Sequence, residues 1–251
     1  MKILYKSIIL FVSVLLVSFS FPADKITVYL IGDSTVCNQP LSQAPVTGWG
    51  TPFAVFFDQS VKVENHARGG RSTRTFLSEN RWQPIADAFK PGDYVFIQFG
   101  HNDEAKEEKY KDRYTSPEDY RKNLVKFITE TRAKKANPVL VTPVSRRRFS
   151  AEGKALETHI EYSAIAIELG SEYKVPVLDL DSRSRQLYDS FGPEYSKLLF
   201  NVSTPGANPQ YPAGSNDNTH FSEYGARLIA ELVLDEMKKV KLDLLERVVN
   251  P

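Results

Sequence analysis

The chain of 251 residues has one cysteine, two methionines and two tryptophans. With only Cys37, no disulfide can form within the chain, and the fold must be held by packing alone. Charge of one sign is also missing: 32 basic residues stand against 31 acidic ones, a net +1. That balance excludes a general nucleic-acid binder, which needs a basic excess or stripe. No His-Glu-x-x-His segment occurs, and no two of the four histidines have metal-ligand spacing, so a catalytic metal or other cofactor is not expected. Repeats and low-complexity segments are absent from the sequence.

Long apolar runs are scarce, and the clearest one lies at the start. Lys2 and Lys6 precede an apolar stretch from Ile8 to Val17, broken only by Ser13. Ser18-Phe19-Ser20 then offers small residues where a signal peptidase reads, with Phe21-Pro22-Ala23 as a later possibility. This pattern reads as a signal peptide over residues 1–20, with cleavage as late as 23. The run is short for a membrane span, so no stable membrane insertion is expected after cleavage. An extracytoplasmic protein, periplasmic or secreted, follows as the expectation. Without Lys2 and Lys6 the formal charge becomes −1, and residues 24–251 suit one domain.

The rest alternates between buried-strand and helix patterns. Ile26–Ile31, Val61–Asn65, Tyr94–Phe99, Val139–Thr142 and Val175–Leu180 are short runs rich in Val, Ile, Leu and Phe, bounded by turn residues. Such runs suit strands buried on both faces. Ser116-Pro117-Glu118-Asp119 is a helix start, with a capping serine, proline in the first turn and two acids. Tyr120, Leu124, Phe127 and Ile128 form its apolar face. A second pattern spans 155–172 with Ile160, Ala164, Ile167 and Leu169 inward. A third spans 222–239 with Leu228, Ile229, Leu232, Val233 and Met237 inward. Strands separated by helices imply a parallel α/β sheet with right-handed crossovers. The charged stretch 103–115 reads as a solvated loop, and 203–218, rich in Pro, Gly and Asn, as a long irregular segment of the kind that often carries function.

In such a sheet, ligands bind beyond the carboxyl ends of the strands. Three of these strands end at Gly32-Asp33-Ser34, Asn65–Gly70 and Gly100-His101-Asn102, which places all three tails on one rim. Ser34 is a candidate nucleophile, although an isolated serine after a strand more often caps a turn. His220, with Asp217 three residues before it at a helix entrance, is a candidate base and orienting carboxylate. His66 and His101, also in rim loops, compete for that role, while His159 sits in a helix pattern and reads as structural. The backbone N–H groups of Ser34 and Gly70 and the side-chain amide of Asn102 could hold a developing oxyanion. Each of these residues alone reads most simply as a cap or turn.

As a set, in this order, Ser34, Gly70, Asn102 and His220 with Asp217 resemble the SGNH (GDSL-type) hydrolases. Further segments, Gly32-Asp33-Ser34-Thr35, Gly48-Trp49-Gly50, Asn65 to Ser72, Gly100-His101-Asn102-Asp103 and Pro143-Val144-Ser145-Arg146-Arg147, are similar to rhamnogalacturonan acetylesterases of carbohydrate esterase family 12. The resemblance covers nearly all of residues 26–238. It implies a three-layer α/β/α sandwich around a flavodoxin-like, doubly wound, five-stranded parallel sheet. It also implies a serine esterase acting on an acetylated acidic polysaccharide or oligosaccharide. The Gly-x-Ser-x-Gly elbow of α/β-hydrolases is absent, in keeping with that distinction. Cys37 has no role in the resemblance and is expected to pack as a small buried hydrophobe.

Five arginines near the rim, Arg71, Arg74, Arg146, Arg147 and Arg148, invite a carboxylate-bearing substrate, since guanidinium holds carboxylate through paired hydrogen bonds; surface salt bridges are the competing use. Trp49 could stack on a sugar ring or pack in the core. Rival expectations are an esterase of acetyl-xylan, a lysophospholipase or thioesterase of the same fold, and an inactive carbohydrate-binding protein.

Overall fold

The computed structural model describes residues 25–249, so the leader expected over 1–20 lies outside the described residues. Among the described residues there are seven strands: β1 (Ile26–Gly32), β2 (Val61–Asn65), β3 (Tyr94–Gln98), β4 (Asn137–Val141), β5 (Val177–Leu178), β6 (Phe200–Ser203) and β7 (Ser215–Phe221). The α-helices are α1 (Gly50–Phe53), α2 (Thr73–Ser78), α3 (Trp82–Ala88), α4 (Pro117–Ala133), α5 (Ile160–Tyr173), α6 (Leu180–Tyr195) and α7 (Glu223–Lys239). Strands β1 to β5 form one sheet in the order β2-β1-β3-β4-β5, with every neighbouring pair parallel. That order is the flavodoxin-like doubly wound one, with its switch point between β1 and β3. The expected α/β sandwich is therefore the fold observed.

Side-chain alternation along the strands builds the two outer layers. Val28 and Leu30 of β1 point to one face with Phe96, Val139, Val141 and Leu178, where Phe53, Leu180, Tyr188, Ile229, Val233 and Met237 cover them. Tyr29 and Ile31 point to the other with Val95, Ile97 and Leu140, under Phe76, Trp82, Tyr120, Leu124, Phe127 and Leu169. The helix α4 starts as its sequence requires, with the Ser116 side chain accepting the Asp119 N–H and Pro117 in the first turn.

Several expectations are corrected. The fifth strand is only Val177–Leu178; Asp179 accepts the Ser182 N–H and starts α6 at Leu180. In α5, Ile160, Ala164 and Ile167 face solvent, while Tyr162, Ser163, Ile165, Ala166, Leu169 and Gly170 face inward. The stripe is rotated because Gly170 lies directly against the sheet: a Cβ there would stand 2.0 Å from Val177 Cγ2. The 203–218 segment is bounded by a second, antiparallel two-stranded sheet, β6 with β7, so Asp217 and His220 lie on a strand rather than at a helix entrance. The 103–115 stretch is not wholly solvated, since Asp103 and Thr115 at its ends are buried.

Candidate active site

The turn after β1 is built from the inside. Asp33 is fully buried, and its Oδ1 accepts the Thr35 N–H (2.9 Å) and hydroxyl (2.8 Å). Thr35 Oγ1 in turn accepts from Gln98 Nε2 (2.6 Å), and Gln98 Oε1 accepts from the Trp49 indole N–H (2.9 Å). The Gly48-Trp49-Gly50 segment adds three backbone hydrogen bonds, from Gly48 to Cys37, from Trp49 to Thr35 and from Gly50 to Val36. Gly48 allows that approach, since a Cβ there would lie 2.3 Å from the Val36 carbonyl carbon. Burial pushes the Asp33 carboxyl up, against the pull of Thr35 and of the His159 and His220 charges.

On this platform Ser34 is half-buried, and its Oγ lies 2.9 Å from His220 Nε2. His220 Nδ1 lies 2.6 Å from Asp217 Oδ2. The other Asp217 oxygen accepts the backbone N–H groups of Thr219 (2.8 Å) and His220 (3.0 Å). Burial works against the Asp217 charge, but the His220 ring hydrogen bond, the His220 charge and these two N–H groups hold its carboxyl below the ordinary range. A hydroxyl, an imidazole and a carboxylate are thus linked in series, so the ring can accept the hydroxyl proton while the carboxylate fixes its tautomer.

Gly70 has φ +78°, the left-handed region that favours glycine. Asn102 Oδ1 accepts from Arg113 Nη1 (3.1 Å), and Asn102 Nδ2 donates to the Arg71 carbonyl (3.1 Å). Because a guanidinium can only donate, Arg113 fixes which way round the amide sits. Ser34, Gly70, Asn102, Asp217 and His220 all line one open cleft of about 1280 Å³, as the strand ends required.

The remaining histidines separate by position. His66 pairs with Glu64 (3.0 Å), stacks on Tyr29 and lies outside the cleft lining. His101 is buried against His159 (ring centroids 4.2 Å apart), and burial first, then the His159 and Arg146 charges, hold it well below the ordinary imidazole range. His159 precedes α5 rather than lying within it, and its Nδ1 meets Glu104 Oε2 at 2.9 Å. Cys37 is buried behind Ser34, and burial together with the Asp33 charge pushes its thiol up to about 11. Among the described residues no cluster of three or more His, Cys, Asp and Glu could hold a metal ion.

Two of the expected substrate contacts are corrected. Trp49 has no exposed surface, and its indole edge is used by Gln98, so it cannot stack on a sugar. Arg74 lies outside the cleft lining and donates to the Tyr114 carbonyl. Arg71, Arg146, Arg147 and Arg148 do line the cleft. Arg71 is held by Glu79 and the Gly69 carbonyl, and Arg146 and Arg147 by protein partners, whereas the exposed Arg148 side chain has no hydrogen bond or ion pair among the described residues. Arg68 and Arg113 also line the cleft and were missed from sequence. The sequence signal for Arg68 is its place beside the glycine pair, as for Arg71; Arg113 has none, since it sits in a charged loop.

The residues 30–228 match the model of the GDSL-like lipase/acylhydrolase family. This chain belongs to that family. It is accordingly a carboxylic ester hydrolase. It is 44% identical over 226 residues to rhamnogalacturonan acetylesterase RhgT of Bacillus subtilis, covering 90% of this chain and 95% of that one. It is 34% identical to the probable rhamnogalacturonan acetylesterase YesY of the same organism, over 89% of this chain and 97% of the relative. Among solved structures, the YxiM protein of Bacillus subtilis superposes with a TM-score of 0.73 at 30% identity; the match covers 88% of this chain but 58% of that one. An acetylxylan esterase from Geobacillus stearothermophilus superposes with a TM-score of 0.61 at 16% identity, over 85% of this chain and 94% of that one, and shares the fold.

Proposed function

We propose that this ester hydrolase is a secreted serine esterase that removes O-acetyl groups from pectic rhamnogalacturonan, with Ser34 as nucleophile, His220 as base and Asp217 as its orienting carboxylate. The Ser34–His220–Asp217 chain of hydrogen bonds, 2.9 and 2.6 Å, carries the mechanistic reading. Ser34 Oγ attacks the acetyl carbonyl carbon while His220 Nε2 takes its proton. The N–H groups of Ser34 and Gly70 and the Asn102 amide hold the resulting oxyanion. Collapse breaks the bond to the sugar oxygen, which leaves with the proton from His220, and the acetyl group stays on Ser34. Water then attacks the acetyl-serine, giving its proton to His220; release of acetate returns that proton to Ser34.

The substrate reading is supported by the 44% identity to a rhamnogalacturonan acetylesterase and by the character of the cleft. An acetyl group fills a small part of about 1280 Å³, which leaves room for several sugar units. Arg68 and Arg148, exposed and with no side-chain hydrogen bond or ion pair among the described residues, suit galacturonate carboxylates. A leader sequence fits a polymer too large to enter a cell. The test is acetate release from acetylated rhamnogalacturonan and from acetyl-xylan, with Ser34→Ala alongside. Release from the pectic substrate that disappears in the folded variant is expected. Preference for acetyl-xylan would overturn the substrate, and turnover by Ser34→Ala would overturn the mechanism.

A further inference from the structure

Among the described residues, the strand that carries Asp217 and His220 has no ladder to the five-stranded sheet and pairs only with β6. Ser34 and Asn102, in contrast, follow directly from central strands. A base misplaced by about 1 Å can lower turnover by about a hundredfold, so β7 needs another means of registration with the central sheet. Behind His220, the buried Phe221 takes the Thr47 N–H on its carbonyl. Ahead of it, Asn218 and Thr219 meet two consecutive arginines from the loop that follows β4.

The backbone N–H of Arg147 donates to the Asn218 carbonyl (2.9 Å), and its Nη1 donates to Asn218 Oδ1 (2.6 Å). The same guanidinium is anchored at its other atoms by Ser196 Oγ (2.9 Å) and the Pro193 carbonyl. Arg146 Nη1 donates to Thr219 Oγ1 (2.7 Å). Its Nη2 reaches the His101 carbonyl (3.3 Å) and Glu104 Oε1 (3.5 Å). Between the Asn216–Val202 and Phe221–Phe200 pairs the register of β7 against β6 shifts, so no ladder pair falls on Asn218 or Thr219 among the described residues. The two arginines hold both residues where the ladder does not. His101 immediately precedes Asn102, so Arg146 also ties the strand bearing the base to the loop bearing the oxyanion amide.

We propose that Arg146 and Arg147 are positioning residues, a two-arginine clamp on Asn218 and Thr219 that sets where His220 stands relative to Ser34 and Asn102. This rests on His220 being the base. Guanidinium suits the task because several donors sit in one plane and the charge persists across the working pH range. The clamp also removes these two arginines from the set free to bind substrate carboxylate.

The competing role, direct contact with an acidic glycan, predicts different kinetics. The test compares p-nitrophenyl acetate, which has no carboxylate or sugar, with an acetylated galacturonate-containing oligosaccharide. Arg146→Ala and Thr219→Val are each expected to lower kcat by a similar factor on both substrates, on the order of 10-fold to 100-fold, with KM nearly unchanged. Arg146→Lys, which keeps the charge but not the fork, should fall between them and wild type. Thr219→Val keeps the test decisive even where Arg146→Ala fails to fold, because it deletes only the hydroxyl acceptor. Unchanged kcat on p-nitrophenyl acetate with a raised KM for the oligosaccharide overturns the clamp. Failure of the underlying reading looks different: it would appear as activity surviving in His220→Ala.

Discussion

Replacing Trp49 with Phe separates core support from sugar binding. The substitution deletes the indole N–H and leaves Gln98 Oε1 without its donor at a site with no exposure. An orphaned buried acceptor costs about 1–3 kcal/mol. The smaller ring adds a cavity term of roughly 1 kcal/mol, softened because the edge-on contact with Phe53, at 5.4 Å, is partly retained. A total of about 2–4 kcal/mol, at roughly 2–4 °C per kcal/mol for a chain of this size, lowers Tm by on the order of 10 °C. Gln98 then holds Thr35 less firmly, and Thr35 holds Asp33 beneath Ser34. Turnover should fall modestly while KM stays the same. Calorimetry and steady-state kinetics on an acetylated oligosaccharide measure both. A Tm within a degree or so of wild type together with a raised KM would refute the reasoning, for it would mean the ring meets substrate.

Asp217→Asn should lower kcat by about 10³–10⁴-fold with little change in the fold. The two N–H groups on Asp217 Oδ1 would keep an asparagine oxygen in place and turn its NH₂ toward His220 Nδ1, forcing the proton onto Nε2, where Ser34 needs an acceptor; the rate constant on p-nitrophenyl acetate reads this out. Asp103 gives a pH prediction. Burial, opposed by Thr73 and Thr115, raises its carboxyl from 3.8 to about 7. A carboxyl raised on folding favours the protonated folded state, so its contribution is complete below its unfolded value and is lost as pH rises through about 7. Asp103→Asn, which stays neutral and keeps an oxygen for the Thr73 N–H and hydroxyl, should therefore gain stability on wild type between about pH 4 and about pH 8, by at most about 4 kcal/mol. Urea unfolding at both ends of that range checks it, and parallel curves would refute it.

The central sheet was legible because β1, β3 and β4 are buried on both faces and so appear as continuous apolar runs with glycine or proline at their ends. Parallel strands end on one rim, which by itself places Ser34, Gly70 and Asn102 together. The strand β7 was not legible: Ser-Asn-Asp-Asn-Thr-His-Phe has neither strand propensity nor alternation, and only Phe221 is buried. It is a strand because tertiary partners hold it. The arginines fail for a different reason. Position near a rim does not reveal where a long side chain ends, so the sequence leaves Arg146 and Arg147 between substrate and protein partners, and Arg113, ten residues past the Gly100–Asp103 segment, reads as solvent-facing charge. The Trp49 side chain went the other way, since a turn flanked by glycines gives no sign that its backbone is pressed against a neighbouring turn.

The sheet's two outer strands have a consequence for handling the protein at concentration. One edge is β5, a ladder of two residues; the other is β2, where Lys62 and Glu64 are ion-paired at 2.7 Å and His66 pairs with the same glutamate at the strand end. A flat apolar edge is an open template onto which an extended segment of another chain can be added, and short or charged edges are how natural sheets refuse it. Both margins here use that defence, so the parallel core can be strongly hydrophobic on its faces without inviting strand-to-strand aggregation at its sides.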